Sequence, residues 1–206
     1  RVGSQTFRLV DRIAAVVNGD VISESDIRWY LALDPELADH PGPPDRDVRA
    51  LQQLIDQRLL DQEAEKLPAI EISDADVQDY LRQLIARFPS ESVFRRRIEE
   101  AGLDSETLRE IARHRLEILR FIDFRFRSFV FVSDQEIQSA YQQKVVAVAR
   151  ARGQEPPALE QVRTLLEKII SDEKVTSELI AWLDEARRTA EIIVHEPYRS
   201  MLTKRE

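Results

Sequence analysis

Cysteine is absent from the 206 residues, which excludes disulfide bonds, thiol catalysis and thiolate metal ligands. Glycine occurs only five times, so a β-rich fold built on many glycine turns is not expected. No apolar run approaches the roughly 20 residues that a membrane-spanning helix needs, so stable membrane insertion is not predicted. Charge is abundant instead: 33% of the residues are charged and 43% are hydrophobic, a balance typical of long helices with solvated faces.

The charge and the histidines exclude further classes of function. The net charge of −8 argues against nucleic acid as a partner, because phosphate binding needs a positive surface. His40, His114 and His195 are scattered over a predicted loop, helix and strand, whereas a metal site needs converging ligands. A glycine-rich phosphate loop and a Gly-x-Ser-x-Gly motif are both missing. We therefore predict a protein without cofactor or metal that is not an enzyme.

The stretch from Val10 to Ile27 organises the rest of the chain. Ile13–Val17 is a short β-branched apolar run that predicts a buried strand, and Asn18-Gly19 predicts a tight turn. A capping box at Ser23 and Asp26 then opens a helix. Because a strand needs a partner for its backbone groups, we expect it to pair with the only comparable run, Glu191–His195. The two ends of the chain should form a small two-stranded element.

Apolar residues spaced three or four apart predict helices between these two strands. The expected ranges are about Ser23–Leu33, Arg46–Lys66, Ser73–Phe88, Ser90–Gly102 and Ser105–Phe126, then a helix from Ser133 and a last helical region over Ala158–Arg188.

Three segments are predicted to be irregular. Asp34–Asp45 contains four prolines and should be a loop that could move as a flap, and Phe129–Val132 should be a brief extended connection. Gly153–Pro157 should break the helical pattern. A polar tail follows the closing strand from Arg199. Whether the last helical region is interrupted near Ser171-Asp172 is left open by the pattern.

The same segments carry a resemblance to a known family. Val10–Ile27 is similar to the opening of the SurA-type periplasmic chaperones, in which an apolar strand, an Asn turn and an acidic helix start follow in this order. The order of the matching segments, with both ends present, is the specific signal. The other matching segments are Leu54–Leu60, Ile72–Asp74, Gly102-Leu103, Val132–Ile137 and Ala181–Ala190.

The resemblance implies a mainly α fold: a helical chaperone domain of the SurA and trigger-factor type, with a small β element that pairs the terminal strands. It implies a single domain over residues 1–206, with an N-terminal module at 10–141, a short linker at 142–157 and a closing part at 158–196. Family members usually carry parvulin-type prolyl isomerase domains of about 100 residues in between. The linker is too short for one, so we expect no isomerase activity.

The function that the resemblance implies is an ATP-independent periplasmic holdase that binds unfolded outer-membrane-type polypeptides. The chain starts at Arg1, which a removed signal peptide would explain and a shortened chain would explain equally. Two alternatives stay open: a structural or adaptor module with a permanent interface, including a homodimer, and a degenerate isomerase.

Candidate client-binding residues come from an aromatic-rich stretch and from the first helix. Five of the eight phenylalanines fall between residues 121 and 131, and they could form an apolar groove or pack into the core. The candidates are Trp29, Tyr30, Ile118, Phe121, Phe124 and Phe129. The arginines at Arg95–Arg97 and between 113 and 127 could form a basic patch for acidic clients or lipid head groups, or could pair with neighbouring glutamates.

Overall fold

The computed structural model describes residues 11–38, 45–67 and 71–203 of the chain. These residues form two compact units. The first consists of the described residues up to Ile118 together with those from Ala186 onward, and the second is Leu119–Glu185. The predicted mainly helical fold with a small β element is confirmed.

The β element is a three-stranded antiparallel sheet in the first unit. Its strands are β1 (Ile13–Val17), β2 (Asp20–Ser23) and β3 (Ile192–Val194), in the order β2-β1-β3. The predicted pairing of the chain's first and last strands is confirmed. The expectation of two strands is wrong, because Val21 and Ile22 fold back across the turn and pair with β1 on its other edge.

The turn between β1 and β2 also holds β3 in register. Asn18 and Gly19 both adopt positive φ angles, 50° and 96°. The Asn18 backbone N–H donates to the Glu191 carbonyl at 2.8 Å, and the Asn18 side-chain oxygen accepts from the Glu191 N–H at 2.8 Å. The amide of Gln62 donates to the Val17 carbonyl at 2.9 Å. One turn residue therefore satisfies both backbone groups of Glu191, the residue directly before β3.

Ten α-helices are present among the described residues, and the predicted helices are confirmed within a few residues at their ends. Serine capping boxes open α1, α4 and α7, and the first is the predicted pair Ser23 and Asp26. The helices are α1 (Glu24–Ala32), α2 (Pro35–Ala38), α3 (Asp45–Ala64), α4 (Asp74–Ala86), α5 (Glu91–Glu100), α6 (Ser105–Arg125), α7 (Asp134–Ala140), α8 (Ala147–Ala151), α9 (Leu159–Thr189) and α10 (Tyr198–Thr203).

Short helices occur in the predicted loop and in the predicted tail. Pro35 opens α2 inside the predicted loop, because proline suits the first helical position and the Asp34 carboxylate accepts from the Glu36 N–H at 2.9 Å. Residues 39–44 of that loop lie outside the described residues. The predicted polar tail from Arg199 lies within a short helix, α10, that begins at Tyr198.

The other differences lie between residues 127 and 189. Arg127–Phe129 forms a 3₁₀ turn rather than the start of an extended connection. A π-helical stretch, Tyr141–Val146, joins α7 to α8, so residues 142–151 of the expected linker are helical. α9 runs through Ser171-Asp172 without interruption. Residues 152–158 alone connect α8 to α9.

Each unit has a hydrophobic core of its own. In the first, Phe88 and Phe94 meet edge to face with ring centroids 5.2 Å apart, within a cluster completed by Leu33, Leu84, Leu103 and Leu108. In the second, Ile137 and Ala140 of α7 pack with Leu166 and Ile170 of α9. The buried carboxylate of Asp56 in the first unit is paired with Arg187, whose Nε lies 2.6 Å from one carboxylate oxygen.

Substitution of Asn18 tests how strongly the turn holds the ends of the chain together. Asn18→Gly removes the side-chain bonds but keeps the positive φ angle available, whereas Asn18→Ala also strains the backbone. We expect both variants to lower the free energy of unfolding in urea, Asn18→Ala by about 1 kcal/mol more than Asn18→Gly. Equal losses in the two variants would contradict the role assigned to the φ angle.

Candidate functional site

The structure separates the six predicted client-binding residues into three groups. Phe124 and Phe129 are exposed, at 60% and 80% of their surface. Trp29 and Tyr30 are half-buried. Ile118 and Phe121 are buried, with 6% and 1% exposed, so we remove these two from the candidate surface.

The geometry of α6 explains why its apolar residues divide. Residues three apart on an α-helix drift by about 60° around the axis at each step. Ile118 and Phe121 stay within the buried face, but Phe124, two steps from Ile118, has rotated by about 120° toward solvent. A spacing of three therefore does not keep all three side chains on one face.

An open groove of about 740 Å³ lies in the second unit, beside the exposed phenylalanines. Phe126 and Trp182 form its aromatic floor, with ring centroids 6.2 Å apart and an interplanar angle of 67°. Phe129 and Phe131 border the groove and are 80% and 78% exposed. Two exposed rings beside an apolar floor make this groove the candidate interaction surface of the second unit.

Phe131 is exposed as well, although it is not among the six predicted client-binding residues. It alternates with Phe129 in Phe-Val-Phe-Val, and the two rings border the same groove. Val130 between them has extended backbone, and an extended residue turns the side chains of its two neighbours to the same side. The alternation of phenylalanine and valine is visible in the sequence. It does not indicate that the phenylalanines, rather than the valines, face solvent.

Lys174 of α9 ties the phenylalanine segment in place. Its Nζ donates to the Phe131 carbonyl at 2.7 Å and lies 2.6 Å from Glu136 Oε1. Glu136 also closes the capping box with Ser133. The ammonium group of Lys174 and the bonds from Ser133 lower the pKa of Glu136 to about 2. The carboxylate is therefore charged at neutral pH, and its ion pair with Lys174 is present there.

A second, smaller pocket lies in the first unit. Its volume is about 130 Å³, and α1, α3 and α6 line it, with Trp29 and Tyr30 in its wall. The Arg115 guanidinium lies over the Tyr30 ring, 5.4 Å from the centroid. Burial raises the pKa of the Tyr30 phenol, so its hydroxyl is protonated at neutral pH.

The polar end of this pocket is a histidine between two carboxylates. His114 Nε2 lies 2.7 Å from Asp61 Oδ2, and Nδ1 lies 3.4 Å from Glu117 Oε2. The hydrogen bond to Asp61 raises the pKa of His114 more than burial lowers it, and Glu117 raises it further. His40 lies outside the described residues. Of the other two histidines, His114 lies on α6 and His195 directly follows β3.

The arginine cluster has carboxylate and aromatic partners. Arg95 lies 2.5 Å from Glu91, Arg113 lies 2.8 Å from Asp74, and the Arg97 guanidinium stacks 5.4 Å from the Phe88 centroid. These contacts favour the interpretation of solvated, paired helix faces over a free basic patch. The predicted pairing with a nearby glutamate is present for Arg96, whose Nε lies 3.8 Å from Glu100, whereas the Arg113 partner Asp74 comes from another helix.

The described residues were also compared with what a metal site and a membrane span require. Within residues 11–38, 45–67 and 71–203, no group of three or more His, Asp or Glu side chains converges as metal ligands would. None of the helices in that part of the chain is both long and apolar enough to span a bilayer.

Comparison with known proteins identifies one family. The family model of the SurA N-terminal domain matches residues 10–121, more than half of the chain. The protein named chaperone SurA from Burkholderia lata is 33% identical over 142 residues, which is 66% of this chain and 31% of that protein. Chaperone SurA from Bordetella pertussis is 28% identical over 157 residues, 73% of this chain and 30% of that protein. The chain thus matches about a third of these relatives' length.

A solved structure supports the fold. A chain from the SurA-like chaperones PEB4 and Cj1289 of Campylobacter jejuni matches with a TM-score of 0.50, over 90% of this chain and 99% of that chain. The sequence identity is 13%, so the likeness concerns the fold alone.

The His114 contacts predict a pH-dependent contribution to stability. Because the pKa of His114 is raised above its ordinary value of 6.5, its interaction with Asp61 stabilises the fold fully below that value. The contribution is lost as the pH rises through the raised pKa. The free energy of unfolding should be higher for the wild type than for His114→Gln. We expect this difference to be larger at about pH 6 than at about pH 8.5.

Imidazole titration by NMR provides the control for this prediction. The His114 midpoint should lie above 6.5 in the wild type and should fall in Asp61→Asn, which removes the largest cause of the shift. A midpoint at or below 6.5 in the wild type would contradict the assignment.

Proposed function

Because the chain belongs to the SurA N-terminal domain family, we propose that it is an ATP-independent holdase for unfolded polypeptides. Its relatives are named chaperones, which supports a chaperone role. We further propose that it acts in the periplasm and that its clients are unfolded outer-membrane-type proteins.

The exposure of Phe129 and Phe131 beside the groove of the second unit carries this proposal. Water contact with large apolar side chains is unfavourable, and covering a phenylalanine ring is worth roughly 1.5–3 kcal/mol when burial is complete. A passing client segment that covers these rings recovers part of that free energy. Phe124, 60% exposed on α6, and the half-buried Trp29 and Tyr30 remain predicted contacts.

The groove suits transient binding of many sequences. Its floor is aromatic and sequence-tolerant, and its margins carry charged side chains of both signs, Arg125, Lys174 and Glu178. Apolar contacts are non-directional, so a client needs no particular hydrogen-bond pattern to bind. The proposed mechanism is shielding: a covered apolar segment or strand edge of the client is unavailable for aggregation.

Prolyl isomerase activity is not part of the proposed function. Residues 152–158 are a seven-residue connection between α8 and α9, at the place where family members usually carry an isomerase domain. A proline-peptide assay should therefore give a rate equal to background. A rate above background would overturn this part of the proposal.

Suppression of aggregation tests the groove. We expect the wild type to slow aggregation of a urea-unfolded β-barrel membrane protein when the two proteins are mixed at a stoichiometric ratio. The double variant Phe129→Ser/Phe131→Ser should need on the order of tenfold more protein for the same effect, since two apolar contacts are lost. Leu165→Ser is the matched control, because Leu165 is 60% exposed in the same unit but does not line the groove.

Two outcomes would overturn the proposal. If the wild type leaves client aggregation unchanged, the protein is not a holdase. If the double variant and Leu165→Ser lose the same amount of aggregation suppression, the groove is not the binding site. Light scattering distinguishes the adaptor alternative, in which the same phenylalanines lie in a permanent interface. A tight dimer that Phe129→Ser/Phe131→Ser converts to a monomer would favour that alternative.

A further inference from the structure

The register of the sheet determines which backbone groups of β3 point away from β1. The His195 N–H donates to the Ala14 carbonyl at 2.9 Å, so His195 directs its backbone groups toward β1. Residues that face the neighbouring strand alternate along an antiparallel ladder, and Ile193, two positions earlier, therefore also faces β1. The N–H and C=O groups of Ile192 and Val194 consequently lie on the outer edge of the sheet.

The two edges of the sheet differ in what covers them. On the edge strand β2, the Arg58 guanidinium donates to the Val21 carbonyl at 3.3 Å. On β3, the outward groups of Ile192 and Val194 have no hydrogen-bond partner among the residues that the structure describes. Unpaired backbone groups of a strand are a template for another strand, because its donors and acceptors repeat at the same spacing.

The side chains of β3 suit an apolar neighbour on both faces of the sheet. Ile193 lies opposite Val16, which lies opposite Val21, so these three residues form one apolar row across the strands. Ile193 and Val21 are each 47% exposed. On the other face, Ile192 and Val194 are half-buried, whereas the β1 residues beside them are fully buried. An added strand would extend the row beyond Ile193 and cover Ile192 and Val194.

The length and the flanks of β3 restrict the occupant of its edge. Three strand residues span roughly 10 Å, and a pairing of that length buries far less than the roughly 1,200–2,000 Å² of a stable protein–protein interface. A permanent contact with a second copy is therefore not favoured, and a transient extended segment is. Exposed carboxylates, Glu191 and Glu196, lie on either side of the strand, so a segment with basic ends is complementary.

We propose that the outer edge of β3 binds an extended segment of an unfolded polypeptide as a fourth, transient strand. The outward groups of Ile192 and Val194 bond to the backbone of the segment, and an apolar side chain of the segment packs on Ile193. The inference rests on the proposed function, because the partner belongs to its client class. It adds a contact in the first unit that recognises backbone, whereas the groove of the second unit covers side chains.

Amide hydrogen exchange measured by NMR tests the edge residue by residue. In the free protein, the Ile193 N–H should be protected by its bond to β1, and the Ile192 and Val194 N–H groups should exchange rapidly. The probe is the blocked peptide Lys-Thr-Val-Val-Val-Thr-Lys, which is β-branched at its centre and basic at its ends. At a peptide concentration about ten times its Kd, exchange at Ile192 and Val194 should slow about tenfold, while exchange at Ile193 stays unchanged.

Two N-methylated peptides test whether the segment binds through one of its edges. Methylation of alternate residues removes the N–H donors from one edge of an extended peptide and leaves the other edge intact. One of the two alternately methylated peptides should bind like the parent peptide, and the other should bind on the order of tenfold more weakly. Equal affinities of the two methylated peptides would contradict strand addition.

A proline at the edge tests the site on the protein itself. Val194→Pro removes an N–H that points away from β1, so the pairing of β3 with β1 is kept. Val194→Ala is the matched control, because it also shortens the side chain but retains the N–H. We expect Val194→Pro to lose peptide binding and Val194→Ala to keep it. Protection of the Ile193 N–H in both variants would show that β3 is still paired with β1.

Four results would overturn the inference. Ile192 and Val194 amides that are protected in the free protein would mean that the edge is already covered, and protection that grows with protein concentration would assign the edge to a second copy. Unchanged exchange at millimolar peptide would exclude strand addition. A folded Val194→Pro protein that binds the peptide as Val194→Ala does would remove the edge as the site.

The inference and the proposed function can fail separately. Phe129→Ser/Phe131→Ser should leave the effect of the peptide on Ile192 and Val194 unchanged, because those phenylalanines belong to the second unit. A wild type that shows the peptide effect without suppressing client aggregation would remove the holdase function and keep the strand-binding edge. A wild type that suppresses aggregation without the peptide effect would do the reverse.

Discussion

The pairing of β1 with β3 is the interaction on which the first unit depends. A central strand flanked on both edges leaves few unpaired backbone groups, and β1 gains its second flank only from the far end of the sequence. Ala14, Ala15 and Val17 of β1 are fully buried, so the strand also contributes to the core. Asn18 adds two hydrogen bonds to Glu191, and the ion pair between Asp56 and Arg187 adds a further link between early and late residues.

Local chemistry explains why so much of this fold can be predicted from the sequence. The serine caps at Ser23, Ser73 and Ser133 determine helix starts through hydrogen bonds within four residues, so a short motif contains the whole cause. The pairing of the chain ends follows from a count of strand-like runs. The third strand was missed because Val21 and Ile22 are a short apolar run directly before a cap, and only the turn geometry reveals a hairpin.

Exposure is the property that the sequence does not contain. Phe121 and Phe129 are the same residue type eight positions apart, yet one is 1% exposed and the other 80%. The difference arises from where α6 ends and how the following 3₁₀ turn directs the chain, which depends on contacts distant in sequence. The pocket around Asp61 has the same origin: its walls come from α1, α3 and α6, and no motif within any one helix indicates it.

The two units differ in what each requires during synthesis. Residues 119–185 are contiguous, so the second unit can complete its contacts as soon as that segment has emerged. The first unit cannot: Asn18 and Glu191 are separated by 173 positions, and the sheet stays one strand short until nearly the whole chain is available. During that interval one edge of β1 has unpaired backbone groups. Such an edge can pair with another chain, so the unfinished sheet is open to aggregation.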